Sequence, residues 1–311
     1  MGQDQNRTAA AATASGSVLR FIALICLVTG ASLAASQPAG SSVPSSVPNP
    51  VSGALSPAQA QLLINRALAN ELRAAQDSMH PMSYTLHKIT PHLTITKQIV
   101  ETKDGDVARL TSQFDKPLSV AAEQQEETRL DTLLSNPGMQ HHRKLSEDAD
   151  TARALKVLRA LPYAFYYQYA GPTDSPLGKV EEFTFKPNPN FSAPDLETQA
   201  LTEMSGEVLV DAAQERVTRL DARLDQDVDF GWGILGRLNK GGWIRIDQAD
   251  VGGNRWRIVH FKMQMRGRVV FKTRVFDTSE DESGFTPVPQ GTSYRQAIQM
   301  LRVGVPKTAD K

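Results

Sequence analysis

Phe261-Lys262-Met263-Gln264-Met265-Arg266-Gly267 alternates strictly: Phe261, Met263 and Met265 share one side, and Lys262, Gln264 and Arg266 the other. A period of two belongs to a β-strand with one face packed and one face wet, the usual pattern of antiparallel sheets. Gly267 reads as a turn into a second strand that carries Val269, Phe271, Thr273 and Val275.

The same pattern recurs upstream. Leu220, Ala222 and Leu224 alternate with Arg219, Asp221 and Arg223. Val208 and Val210 precede them, and Ile244 and Ile246 follow Gly241-Gly242. Tyr163, Phe165, Tyr167 and Tyr169 predict one strand, and Phe183 and Phe185 the next. Lys186-Pro187-Asn188-Pro189-Asn190 ends the latter, because proline cannot donate to a ladder. Three shorter strands are expected at 83–89, 93–101 and 106–113, with Lys103-Asp104-Gly105 as a hairpin turn.

Helices flank these strands. Ser56, Pro57 and Gln59 open a helix running to about Gln76 with a capping box. Ile64, Ala67, Leu68, Leu72 and Ala75 form its apolar stripe. Residues 119–160 are helical and charged, broken at Ser135-Asn136-Pro137-Gly138, and read as an arm or covering element. Ser293 and Gln296 box a last helix whose stripe is Tyr294, Ala297, Ile298 and Leu301.

The chain's start has the parts of a secretory signal. Arg20 precedes the apolar run Phe21–Val28, and Ser32-Leu33-Ala34 fits small-x-small cleavage. The expected division is therefore a signal peptide at 1–34 and a Ser/Pro-rich linker at 35–56. A single α+β domain follows at 57–303, its arm at 119–160, and then a flexible tail at 304–311. Cys26 is the only cysteine and lies in the signal, so the mature chain offers neither disulfides nor thiolate metal ligands.

Lysine plus arginine equals aspartate plus glutamate at 34 each. Such a balance gives no electrostatic footprint for nucleic acid and no polybasic lipid anchor. Gly231-x-Gly233-x-x-Gly236 matches a dinucleotide fingerprint in letters alone, since no βαβ unit surrounds it. Glycines at a turn or bulge explain it better. Asp225, Asp227 and Asp229 start like a calcium loop, but Phe230 stands where glycine is needed. His80, His87, His92 and the His141-His142 pair follow no ligand spacing, and no catalytic constellation stands out. No metal and no cofactor are expected. Trp232, Trp243, Trp256, Met263 and Met265 crowd the late sheet, where packed aromatics and methionines can enclose an apolar cavity.

Two stretches carry a resemblance. Asp227-Val-Asp-Phe-Gly-Trp-Gly-Ile-Leu-Gly-Arg-Leu-Asn-Lys-Gly-Gly-Trp243 and Phe185-Lys-Pro-Asn-Pro-Asn-Phe191 resemble a family of exported proteins from soil acidobacteria. The order of signal peptide, helix and long meander with covering helices is similar to the superfamily of the outer-membrane lipoprotein carrier and its receptor. That resemblance implies a curved, unclosed barrel whose apolar concave side, closed by helices, takes lipid chains.

The expectation is thus an α+β, mainly β protein of the periplasm, not an enzyme, that holds an acyl chain or lipoprotein between sheet and helices. Phe261, Met263, Met265, Val269, Phe271, Val275 and Trp243 are its expected ligand-binding residues. A structural or interaction component of the envelope, with a filled core and the arm as its docking surface for an envelope protein, is the alternative.

Overall fold

The structure, a computed structural model, describes residues 54–230, 236–269 and 272–303. The segments expected as signal peptide and as linker up to residue 53, together with Gly231, Trp232, Gly233, Phe271 and residues 304–311, lie outside the described residues.

In chain order the elements are α1 (Pro57–Ala74), β1 (Met82–Thr90), β2 (Leu93–Val100), β3 (Val107–Gln113), β4 (Lys116–Pro117), α2 (Val120–Ser135) and α3 (Pro137–Ala164). Next come β5 (Phe165–Ser175), β6 (Gly178–Pro187), α4 (Leu196–Gln199), a 3-10 turn (Ala200–Glu203), β7 (Met204–Asp211) and β8 (Arg216–Leu224). Then follow β9 (Val228–Phe230), β10 (Gly236–Leu238), β11 (Trp243–Asp250), β12 (Trp256–Val269), β13 (Lys272–Pro287) and α5 (Tyr294–Val303). The strands pair antiparallel, and β4 and β5 each have a neighbour on one side only, so the sheet is open. This is the α+β, mainly β class that the two-residue period implied.

Two compact units divide the described residues: 77–152 with 278–303, and 54–76 with 153–277. Two of the boundaries fall inside α3 and β13, and the third lies between α1 and β1.

In the first unit the strand order is β4-β3-β2-β1-β13. Gly105 turns the chain into β3 at φ +92°, a conformation that glycine adopts without a steric penalty. Leu130 and Leu133 of α2 pack with Val100, Val107, Tyr294, Ala297, Ile298 and Leu301. The α5 stripe is therefore the one its spacing predicted. Its capping box is also in place: Ser293 N–H donates to Gln296 Oε1 at 2.8 Å, and Gln296 N–H returns to Ser293 Oγ at 3.3 Å.

In the second unit the order is β12-β11-β8-β7-β6-β5, with β10 between β12 and β9. Ser56 caps α1 in the expected box with Gln59. The helix lays Ala60, Leu63, Ile64, Ala67 and Leu68 on Phe183, Val208, Val210 and Val217.

Three local expectations are corrected. Tyr163 belongs to α3, not to a strand: the helix runs through Pro162, and Asn188 then takes up the freed carbonyls of Tyr163 and Ala164 at 2.9 and 2.8 Å. Gly267 is not a turn. β12 continues through it to Val269, and a Cβ there would lie 2.5 Å from the Arg237 carbonyl oxygen of the neighbouring β10. Gly236 is no turn residue either, but opens β10 opposite Phe230 and Val269.

Candidate ligand-binding face

Register decides which side chains of the second unit meet. Residues directly opposite in an antiparallel pair point to the same face. One row runs Tyr167, Phe185, Gly206, Ala222, Ile244, Met263 across β5, β6, β7, β8, β11 and β12. The adjacent row runs Tyr169, Phe183, Val208, Leu220, Ile246, Phe261. Two apolar rows thus cross six strands without a charged residue. At one end the aromatics gather, with the Phe165 and Phe185 ring centroids 4.7 Å apart and those of Tyr169 and Phe183 5.4 Å apart. At the other end stand Phe261, Met263 and Met265, each no more than 2 % exposed.

The middle of the first row is nearly bare. Gly206 sits so close to β8 that a Cβ would lie 1.9 Å from the Asp221 carbonyl oxygen, and its partner Ala222 adds only a methyl. Glycine inside a strand marks such a close backbone approach.

α1 is fastened over this face by polar contacts. Leu55 N–H donates to the Tyr169 hydroxyl at 3.2 Å, and that hydroxyl donates to Glu181. Burial and the Glu181 hydrogen bond hold the Tyr169 phenol above its ordinary range. Burial pushes the Tyr167 phenol well up, and its hydroxyl donates to the Leu161 carbonyl at 3.2 Å. At the far end Glu71 accepts from Arg216, from the Val217 N–H at 3.0 Å and from Gln248 Nε2 at 3.0 Å. Asn70 Nδ2 donates to the Glu215 carbonyl at 2.8 Å.

The structure brings Phe261, Met263 and Met265 together but separates Trp243 and Val275 from them. Trp243 lies opposite Gln264, on the wet face, where its Nε1 donates to Gln264 Oε1 at 3.3 Å and Lys262 sits 5.8 Å from its ring centroid. That face is a charge lattice, with Arg245 on Asp221 at 2.6 Å and Arg219 on Asp247 at 2.5 Å. Val275 is 58 % exposed. Val269 ends β12 opposite Gly236. Phe183, Phe185, Ile244 and Ile246 read as strand residues from sequence but not as members of this face, because alternation gives a face and not a register.

Asp227 and Asp229 are structural here. Asp229 takes two bonds from Arg237, at 2.6 and 2.7 Å, and Asp227 accepts the Lys240 N–H at 2.7 Å. The Arg237 hydrogen bond holds the Asp229 carboxyl below its ordinary range. His80 pairs with Asp77, and His87 with Asp115. Among the described residues no group of three or more His, Cys, Asp and Glu is placed to hold a metal. No described helix is long and apolar enough to cross a membrane.

No protein-family model and no curated protein matches the chain. Among solved structures it is similar to a domain from Vibrio parahaemolyticus described as an outer membrane lipoprotein-sorting protein, at 11% identity and a TM-score of 0.28. The match covers 76% of this chain and 97% of that one.

Proposed function

We propose that the protein is a non-catalytic carrier of the cell envelope, which binds an acyl chain, free or on a lipoprotein, along the two apolar rows beneath α1. The continuous rows carry this reading. At a strand spacing of ~4.8 Å, six strands offer an apolar track about 24 Å across. Burying sixteen methylene-type carbons yields on the order of 10 kcal/mol before ordering costs, with no charged anchor needed. Met263 and Met265 suit an irregular apolar partner, because thioether side chains repack at little cost. At Gly206 and Ala222, where the row crosses β7 and β8, the face presents only a hydrogen and a methyl. Export through the 1–34 signal would place the carrier in the periplasm.

A titration of the mature protein with a fluorescent fatty acid tests this. Uptake is expected at micromolar concentration, and Ala222→Trp, which puts a bulky ring into the row, should abolish it while circular dichroism stays unchanged. A folded wild-type protein that takes up no probe would overturn the reading.

One observation favours a second reading. Ile64 and Ala67 of α1 are fully buried against Phe183 and Val208, as in a filled core. The protein would then be a structural component of the envelope, and Ala222→Trp would unfold it.

A further inference from the structure

β5 is an edge strand: it is bonded to β6 on one side and has no neighbour on the other among the described residues. Its register with β6 fixes which backbone groups look outward. Phe165 lies opposite Pro187, which has no N–H, and the Asn188 N–H donates to the Ala164 carbonyl at 2.8 Å. Bonded and unbonded pairs alternate along an antiparallel ladder. Tyr166 and Gln168 therefore bond to β6, whereas Phe165, Tyr167 and Tyr169 turn their N–H and C=O groups to the open side. Among the described residues no hydrogen bond reaches those outward groups.

An open edge is a template for another strand, and folds blunt it with charged side chains, proline or a cover. The outer side of β3 is blunted in this way: the Ala108 carbonyl accepts from Arg129 at 2.5 Å, and the Leu110 N–H donates to Glu126 Oε1 at 2.8 Å. β5 carries no such guard along its first half. No charged residue occurs from Ala160 to Thr173. The register shifts between Tyr169 and Gly171, and Pro172 follows, so the regular stretch of open edge is Phe165–Tyr169.

That stretch is complementary to itself. Two copies paired antiparallel about Tyr167 put Tyr167 opposite Tyr167 and Phe165 opposite Tyr169, and every outward group of these residues gains a partner. Opposite residues share a face, so these aromatics meet on the apolar side. Tyr166 meets Gln168 on the wet side, where both are exposed. Aromatic cross-strand pairs stabilise a ladder, and no like charges face one another.

We propose that the β5 edge is a homodimer interface, to which a second copy of this chain adds its own Phe165–Tyr169 strand about a two-fold axis through Tyr167. A second copy is the occupant because it supplies, in reverse order, the uncharged aromatic stretch that the edge itself presents. The interface is isologous. It is also small, so association is weak and concentration-dependent. The proposal stands whether or not the apolar rows take an acyl chain.

Sedimentation of the full mature protein between about 1 and about 300 µM tests this, and a shift from monomer to dimer is expected. Over the same range the Tyr167 and Tyr169 amides should gain at least about tenfold protection from hydrogen exchange. Those of Tyr166 and Gln168, bonded to β6, should not change. Tyr166→Glu with Gln168→Glu sets like charges opposite each other twice across the axis and should weaken the dimer at least about tenfold. Tyr166→Glu with Gln168→Lys sets opposite charges in the same places and should restore affinity to within about threefold of wild type. A protein that stays monomeric throughout, or a dimer indifferent to the two glutamates, would overturn the proposal. So would protection of the Tyr167 amide that does not depend on concentration, since the edge would then be covered within one chain. Should circular dichroism show the double-glutamate variant unfolded, the concentration dependence of the wild-type Tyr167 amide decides.

Discussion

Glu71, near the end of α1, takes both sides of the Arg216 guanidinium of β8, at 2.8 Å from Nε and 3.0 Å from Nη2. Both side chains are nearly buried, and Arg216 also lies 5.5 Å from the Trp256 ring centroid. Breaking one half of such a pair leaves an uncompensated buried charge. Glu71→Ala should therefore lower stability by about 3 kcal/mol in urea unfolding. Replacing both partners with Glu71→Leu and Arg216→Met should recover most of that loss, because desolvation of the pair disappears with it. A single variant that unfolds at the wild-type midpoint would show that the pair does not hold α1 down.

Two glycines inside strands should resist substitution for a reason unrelated to φ. The would-be Cβ of Gly206 meets the Asp221 carbonyl at 1.9 Å, and that of Gly267 meets the Arg237 carbonyl at 2.5 Å. Backbone atoms cannot swing aside as a flexible side chain can. Gly206→Ala and Gly267→Ala should each cost about 2 kcal/mol or more in thermal or urea melts. A loss below about 0.5 kcal/mol would mean that the strands part easily at these points.

The same glycines mark how far the sequence could be read. Alternation around Phe261–Met265 and Leu220–Leu224 reveals strands and their faces, because the period of a strand is local. Both capping boxes are legible for the same reason. Which residue faces which is not, since pairing Met263 with Ile244 and Ile244 with Ala222 depends on chain segments far apart. Trp243 shows a legible point overlooked: it adjoins Ile244 in one strand, so parity alone sends it to the wet face. Val275 would join the face only if the chain turned at Gly267, and the strand instead continues through that residue.

Parity makes a sharper test of the ligand face. Trp243→Ala alters only the wet side and should leave fatty-acid uptake within about twofold of wild type. Met263→Lys puts an unpaired charge at a position 2 % exposed. If the face is solid, that charge should unfold the protein. If chain-binding space lies against Met263, the variant should fold and lose uptake. Loss of uptake in Trp243→Ala with normal folding would move the site to the other face of the sheet.

Lys97 of β2 supplies the last prediction. It lies opposite Leu86 and Leu110 and is 8 % exposed. Burial, with Arg129 and Lys88 nearby, lowers its amine to about 8. The unfolded chain, with an ordinary lysine near 10.4, binds more protons than the folded one between these two values. Stability must then rise with pH across that window, by about 3 kcal/mol in all. Tyr167 acts the other way above pH ~10, because its phenol ionises in the unfolded chain while burial keeps it protonated when folded. The stability curve should therefore climb from pH ~8 and turn over beyond pH ~10. Urea midpoints measured from pH 7 to 10 check the climb, and Lys97→Met should flatten it. A wild-type curve that stays level or falls between pH ~8 and ~10 would show that the amine is charged at no cost where it lies.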